Sequence, residues 1–161
     1  MMKIVFEDIL NSNEEYILHQ TNCVTTTAGG LAKTLFQRFP YANTYSIRRR
    51  KQGSFDSIEE DRSTPGTIDI CGNGKDKRYI INMNAQYFPG EPIYEYDSAS
   101  ERFKWFKICL KKVATLNPKS VAIPWMIGCG LAGGNWNDYF SAILSWSKEN
   151  LSINVVLYKK D

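Results

Sequence analysis

Apolar residues fall along this chain in two kinds of segment, short β-rich runs and longer stretches with helical spacing, and the two kinds alternate. Residues 3–7 and 16–20 have strand character and are separated by the turn-forming Asn11-Ser12-Asn13. Residues 21–30 form a polar loop of small residues, after which Leu31, Leu35 and Phe36 recur at helical spacing until Phe39-Pro40 stops the helix. Residues 41–51 read as a second helix and residues 52–65 as an exposed polar loop. Strands are expected at 66–71 and 79–83, joined by the turn Gly72-Asn73-Gly74-Lys75-Asp76.

The stretch 84–96 carries Gln86, Tyr87, Phe88, Pro89-Gly90 and Pro92, which exclude a helix and suit the lining of a pocket. Asp97 or Ser98 is the expected N-cap of a helix reaching about Leu116, with Phe103, Phe106, Leu110 and Val113 on one face. A buried strand over 121–124, a helix over 137–150 and a last strand over 153–158 complete the pattern. Strands alternating with helices predict a layered α/β sandwich whose site lies in loops at the carboxyl ends of the strands.

Two such loops are rich in glycine. Gly29-Gly30 opens the first helix, and Ile127-Gly128-Cys129-Gly130-Leu131-Ala132-Gly133-Gly134 follows the strand at 121–124. Glycines let an anion reach backbone N–H groups, and a following helix adds its positive dipole end. The spacing Gly128-x-Gly130-x-x-Gly133 also spells the dinucleotide fingerprint, but only one helix and one strand follow it, too few for a Rossmann domain. A loop that merely turns the chain is the other alternative. Two glycine loops in one small domain favour a ligand with two phosphates.

Composition narrows the class. A chain of 161 residues, 43% hydrophobic, suits one domain spanning 1–161. Twenty basic against 17 acidic residues give a net charge of +3, too weak to argue for a nucleic-acid surface. The cluster Arg48-Arg49-Arg50-Lys51 reads as a solvated helix end. Cys23, Cys71, Cys109 and Cys129 are scattered without a CxxC pair, and His19 is the single histidine, so no metal site is expected. No apolar run is long enough for a signal peptide or a membrane span, and a soluble, reducing, intracellular setting, cytoplasmic or nuclear, is expected.

Cys129 invites comparison with a cysteine phosphatase, whose thiolate needs an arginine six residues on. Asn135 stands there, so Cys129 reads as a small packing residue.

Four motifs follow in order: Glu7-Asp8-Ile9-Leu10, His19-Gln20-Thr21-Asn22-Cys23 leading to Ala28-Gly29-Gly30-Leu31-Ala32, Pro124-x-x-Ile127-Gly128-Cys129-Gly130-Leu131, and Val156-Leu157-Tyr158. Together they resemble the macro domain family, in its branch of ADP-ribose-1''-phosphate phosphatases and terminal ADP-ribose glycohydrolases. The resemblance covers nearly the whole chain and implies a three-layer α/β/α sandwich around a mixed sheet of about six strands. It implies ADP-ribose as ligand, held without metal or other cofactor.

Residue by residue, the resemblance makes Asp8 the acceptor for the adenine amino group and the Ile9 N–H the donor to the ring nitrogens. Asn22 would hold the distal ribose hydroxyls, and Gly29, Gly30 and Leu31 would face that ribose and its phosphate. Ile127, Gly128, Cys129, Gly130 and Leu131 match the loop that holds the diphosphate. Tyr158 is placed near adenine, with core packing as its alternative, while Asp8 as a turn aspartate and Asn22 as a loop-bonding asparagine also stay open. His19 is a candidate general acid or base beside Asn22; the alternative is a histidine satisfied under the loop.

The chain also departs from the family. Ala32 and Ala132 stand where hydrolytic members carry aspartates, and residues 82–86 offer no lysine. The expected reaction is therefore hydrolysis at the distal ribose, removal of the 1''-phosphate. The alternative is a non-catalytic reader of free or protein-linked ADP-ribose. Asp97, Glu101 and Arg102, near the start of the long helix, are candidates to complete the site; the alternative, favoured for exposed helix-start charges, is capping and solubility. A nucleic-acid module built on Arg48 to Lys51 has no recognisable motif behind it, and neither a nucleic-acid nor a membrane partner is expected.

Overall fold

A computed structural model describes residues 2–160. Strands β1 (Met2–Val5), β2 (Tyr16–Asn22), β3 (Thr67–Cys71), β4 (Tyr79–Gln86), β5 (Ser120–Pro124) and β6 (Asn154–Tyr158) form one sheet in the order β1-β6-β5-β2-β4-β3. The helices are α1 (Gly30–Arg38), α2 (Ala99–Ala114) and α3 (Trp136–Glu149). Five strands run parallel and only the edge strand β3 is antiparallel, against β4. The carboxyl ends of β1, β6, β5, β2 and β4 therefore stand in a row along one side of the sheet.

Side-chain alternation explains the three layers. Leu18, Ile81, Ile123 and Leu157 point to one face and meet Phe106, Leu110 and Val113 of α2 and Ile143 of α3. Ile17, Ile80, Ala122 and Val156 point to the other and meet Leu35 and Phe36 of α1. Because both faces are covered, the central strands read as nearly continuous apolar runs. The mixed six-stranded sheet and its three-layer sandwich are as expected from the sequence.

Four readings need correction. Residues 41–51 are not a helix: a short 3-10 turn, Pro40–Ala42, gives way to irregular turns. Asn43 accepts the Ser46 N–H at 3.2 Å and its carbonyl accepts the Ser46 hydroxyl at 2.8 Å, so local side-chain bonds displace the helical ladder. Arg48 is not solvated but 6% exposed, its guanidinium over the Tyr45 ring at 4.7 Å. Strand β4 runs on to Gln86, past the expected end at Met83, because Asn82 and Asn84 satisfy their amides inside the fold.

Helix α2 is capped by Ser98, whose hydroxyl accepts the Glu101 N–H at 3.1 Å. Asp97 and Arg102, read as exposed, are instead buried at 0% and 1% exposure and paired at 2.7 Å.

Candidate functional site

Where β5 ends, the chain must turn sharply to enter α3, and it does so through a series of tight turns. Met126, Gly128 and Gly133 take positive φ of 66°, 74° and 75°. The N–H groups of Ile127, Cys129, Gly133 and Gly134 bond to carbonyls within the loop. Those of Gly128, Gly130, Leu131 and Ala132 have no acceptor among the described residues. Alternating left- and right-handed residues with unpaired N–H groups make an anion-binding concavity. Opposite stands the start of α1, where the N–H groups of Gly29, Gly30 and Leu31 likewise have no acceptor among the described residues.

The two loops face one cleft of about 420 Å³. Its glycines have different reasons to be glycine. At Gly128 a Cβ would sit 2.5 Å from the Tyr139 ring, and φ is positive, so the fold itself demands glycine there. At Gly29 and Gly130 a Cβ would meet nothing within 4 Å and φ is not positive. Nothing in the protein requires the missing side chain at these two positions, which both line the cleft.

Among the described residues the lining contains no aspartate, glutamate, lysine or arginine. A bound anion would meet backbone dipoles and the positive end of α1 rather than a cationic side chain. No cluster of three or more His, Cys, Asp or Glu able to hold a metal occurs among the described residues.

His19, Asn22, Gly29, Gly30, Leu31, Ile127, Gly128, Gly130 and Leu131 line the cleft. Asp8, Ile9, Cys129 and Tyr158 lie outside that lining. Asp8 caps a 3-10 turn, accepting the Leu10 N–H at 3.0 Å, and its second oxygen meets Lys160 at 3.2 Å. The Leu10 bond holds its pKa below the ordinary value. Ile9 is buried beside it, and its N–H has no acceptor among the described residues. Tyr158 packs in the core under α1 and donates to Glu14, while Cys129 packs against the α2 side with its thiol pushed up to about 11 by burial.

Asn22 bonds its own loop: Oδ1 accepts the N–H groups of Val24 at 3.1 Å and Thr25 at 2.9 Å. Its Nδ2 donates to the Tyr45 hydroxyl at 3.2 Å, leaving one amide hydrogen uncommitted. Arg48 fixes the same loop from behind, donating to Asn22 O at 2.9 Å and Thr25 O at 2.8 Å.

His19 lies 1% exposed beneath α1, 5.5 Å from the Phe36 ring centroid. Its Nε2 is 2.5 Å from Asn82 Oδ1. Asn82 Nδ2 donates to Ala42 O and Thr44 Oγ1, so Oδ1 is an acceptor and His19 Nε2 carries the proton. Nδ1 is then a bare lone pair, and it has no partner among the described residues. Burial lowers the pKa to about 4, against the raising effect of the Asn82 bond, so the ring is neutral at pH 7.

Sequence reasoning missed several lining residues. Gln20 Nε2 donates to Gln86 Oε1 at 2.8 Å, and Gln86 Nε2 donates to Phe88 O at 2.9 Å. Gln20 follows His19 directly, and Gln86 opens the aromatic stretch expected to line a pocket, which does contribute Pro89 and Gly90 to the wall. Trp125 and Tyr45 line it too, without any signal beyond their size.

No family model matches the chain, and no curated protein sequence matches it. Solved structures do match. The chain is similar to the macrodomain of Mycobacterium tuberculosis DarG at 21% identity and a TM-score of 0.77, covering 100% of this chain and 99% of that one. It is similar to the macrodomain of Thermus aquaticus DarG at 19% identity and a TM-score of 0.73, over 99% and 98% of the two chains. A Trypanosoma brucei macrodomain in complex with ADP-ribose matches at 10% identity and a TM-score of 0.65, over 99% of this chain and 63% of that one. At these identities the likeness is one of fold, and the fold is that of a macro domain.

Burial of neutral His19 makes stability depend on pH. The unfolded ring titrates near 6.5 and the folded one near 4, so between these values the unfolded chain binds the extra proton and stability falls as pH falls. The gap corresponds to about 3 kcal/mol, lost in full below pH 4. Urea unfolding of His19→Gln, which keeps a donor for Asn82, should show a flatter profile from pH 6.5 to 4 than the wild type. Asp97→Asn should lower stability by about 3–5 kcal/mol in the same assay, because it leaves a buried guanidinium without its counter-charge.

Proposed function

We propose that this cleft binds ADP-ribose, with its diphosphate between the two glycine loops. The observation that carries the reading is the pair Gly29 and Gly130, open on both sides of a cleft lined by unpaired N–H groups. The order of the strands supports the layout of the ligand. Asp8 follows β1 at one end of the row, and Asn22 and Gln86 end β2 and β4 toward the other. Adenine lies at Asp8 and the Ile9 N–H, and the distal ribose at Asn22. Gly29, Gly30 and Leu31 bind on one side and Gly128, Gly130 and Leu131 on the other, while Ile127 and Cys129, whose N–H groups bond within the loop, hold its shape. Tyr158 contributes packing behind the adenine end. The Trypanosoma brucei macrodomain, solved with ADP-ribose, has the same fold.

The reaction we assign is hydrolysis of ADP-ribose-1''-phosphate. A water attacks the terminal phosphorus, the bond from phosphorus to the ribose oxygen breaks, and the N–H groups stabilise the charge on the phosphoryl oxygens. Asn22 orients the ribose, and neutral His19 takes a proton from the attacking water and returns it to the leaving oxygen, which departs as the ribose hydroxyl. The second reading is a non-catalytic reader of ADP-ribose, free or on protein. It is favoured by the burial of His19 and by a lining without carboxylates.

Calorimetry should give a one-to-one complex with ADP-ribose. Gly130→Val should fold normally yet bind about 100-fold more weakly, because its side chain enters space that only the ligand uses; undiminished affinity in a folded variant would remove the loop assignment. Incubation with ADP-ribose-1''-phosphate should release phosphate, and His19→Gln should slow the release. Binding without release identifies the reader.

A further inference from the structure

We infer that Arg102, fixed by Asp97, is a positioning residue for the end of the cleft that holds the distal ribose. The inference rests on the cleft being an ADP-ribose site. Arg102 touches no ligand position; it acts through the backbone of both walls. Its Nη1 donates to Gly90 O at 2.6 Å and to Ala132 O at 3.2 Å, thereby joining the segment after β4 to the glycine loop after β5. Its Nη2 donates to Phe88 O at 3.0 Å. Both remaining donors go to Asp97, which also accepts the N–H groups of Tyr87 and Phe88 at 2.8 and 3.0 Å. Every donor of the guanidinium is used, and its place is therefore determined on all sides.

Two routes lead from this pair to the ligand. The first is the width of the cleft: Gly90 and Ala132 line it from opposite walls, and a Cβ on Gly133 would lie 3.3 Å from Pro92 Cδ, so the two lips meet beside the arginine. The second is a relay of amides. Phe88 O accepts from Arg102 and from Gln86 Nε2 together, which obliges Gln86 to turn Oε1 toward Gln20 Nε2. Arg102 thus sets the orientation of two amides on the floor. Because β4 lies farther than β2 from β1 and Asp8, Gln86, Phe88 and Gly90 flank the distal ribose, and of the diphosphate loop Arg102 touches only the carbonyl of Ala132, past Leu131.

The pair accordingly governs selectivity between ADP-ribose and ADP, which lacks the distal ribose. The test compares both ligands by calorimetry on Arg102→Lys and on the double variant Asp97→Leu/Arg102→Met. The double variant removes both buried charges but leaves five backbone groups without partners, so thermal unfolding should show it folded with a lowered midpoint, and Arg102→Lys keeps one charge for Asp97. In either folded variant, affinity for ADP-ribose should fall about tenfold while affinity for ADP stays constant. Equal losses for the two ligands, or no loss for either, would overturn the positioning role. A wild-type protein that binds ADP and not ADP-ribose, or neither, would overturn the binding assignment itself.

Discussion

The buried ion pair between Asp97 and Arg102 is the interaction on which the shape of the cleft depends. An arginine and an aspartate taken out of water lose several kcal/mol of hydration each, and their attraction offsets that loss only when the remaining donors and acceptors are satisfied. Here seven hydrogen bonds do so, two across the pair and five to backbone groups of the surrounding loops. The consequence runs in both directions. The loops supply the polar groups that let the pair be buried, and the pair supplies the rigidity that the loops, lacking regular structure, do not have.

Arg48 repeats the device at the opposite wall, without a carboxylate. It draws the carbonyls of Asn22 and Thr25 away from the cleft and rests on Tyr45, whose hydroxyl accepts from Asn22. Both arginines therefore stand behind the walls and bind carbonyl oxygens, while the lining is left to N–H groups and neutral amides. A cationic side chain in the cleft would bind phosphate more strongly but would follow it as a mobile point charge. Fixed backbone N–H groups instead define where each oxygen sits and need no reorganisation when charge shifts between them.

What was legible in the sequence follows from how local each signal is. Glycine loops after apolar runs, helical spacing in α2 and α3, and the strand pattern of β5 and β6 depend on neighbours in the chain, and they appear where the pattern puts them. His19, Asn22 and the glycines of the cleft were legible for the same reason, as parts of short motifs. Arg48, Asp97 and Arg102 were misread because charged residues are exposed on average, and their partners are delivered by tertiary structure alone. The end of β4 was missed because Asn82 and Asn84 look like loop residues. Asn82 completes its bonds with His19 and Ala42, and Asn84 with Thr67 and Asp69, none of them near in sequence. The pairing of Gln20 with Gln86 was not foreseen, although Gln86 stood in the stretch expected to line a pocket, because two glutamines carry no mutual signal until the sheet sets their strands side by side.

The same neutrality constrains any chemistry in the cleft. Backbone N–H groups stabilise a phosphate dianion and a phosphoryl transition state alike, so the loops by themselves supply binding and only part of a rate enhancement. For the proposed hydrolysis a proton acceptor must come from elsewhere, and among the described residues the lining contains one imidazole, His19, whose Nδ1 is buried and has no partner. Its bond to Asn82 fixes the tautomer that leaves this nitrogen free, while burial keeps the ring unprotonated at neutral pH. A base whose conjugate acid is this strongly disfavoured holds a proton briefly and returns it readily. In the hydrolysis proposed above, that would favour immediate transfer of a proton from water to the leaving ribose oxygen over its storage between turnovers.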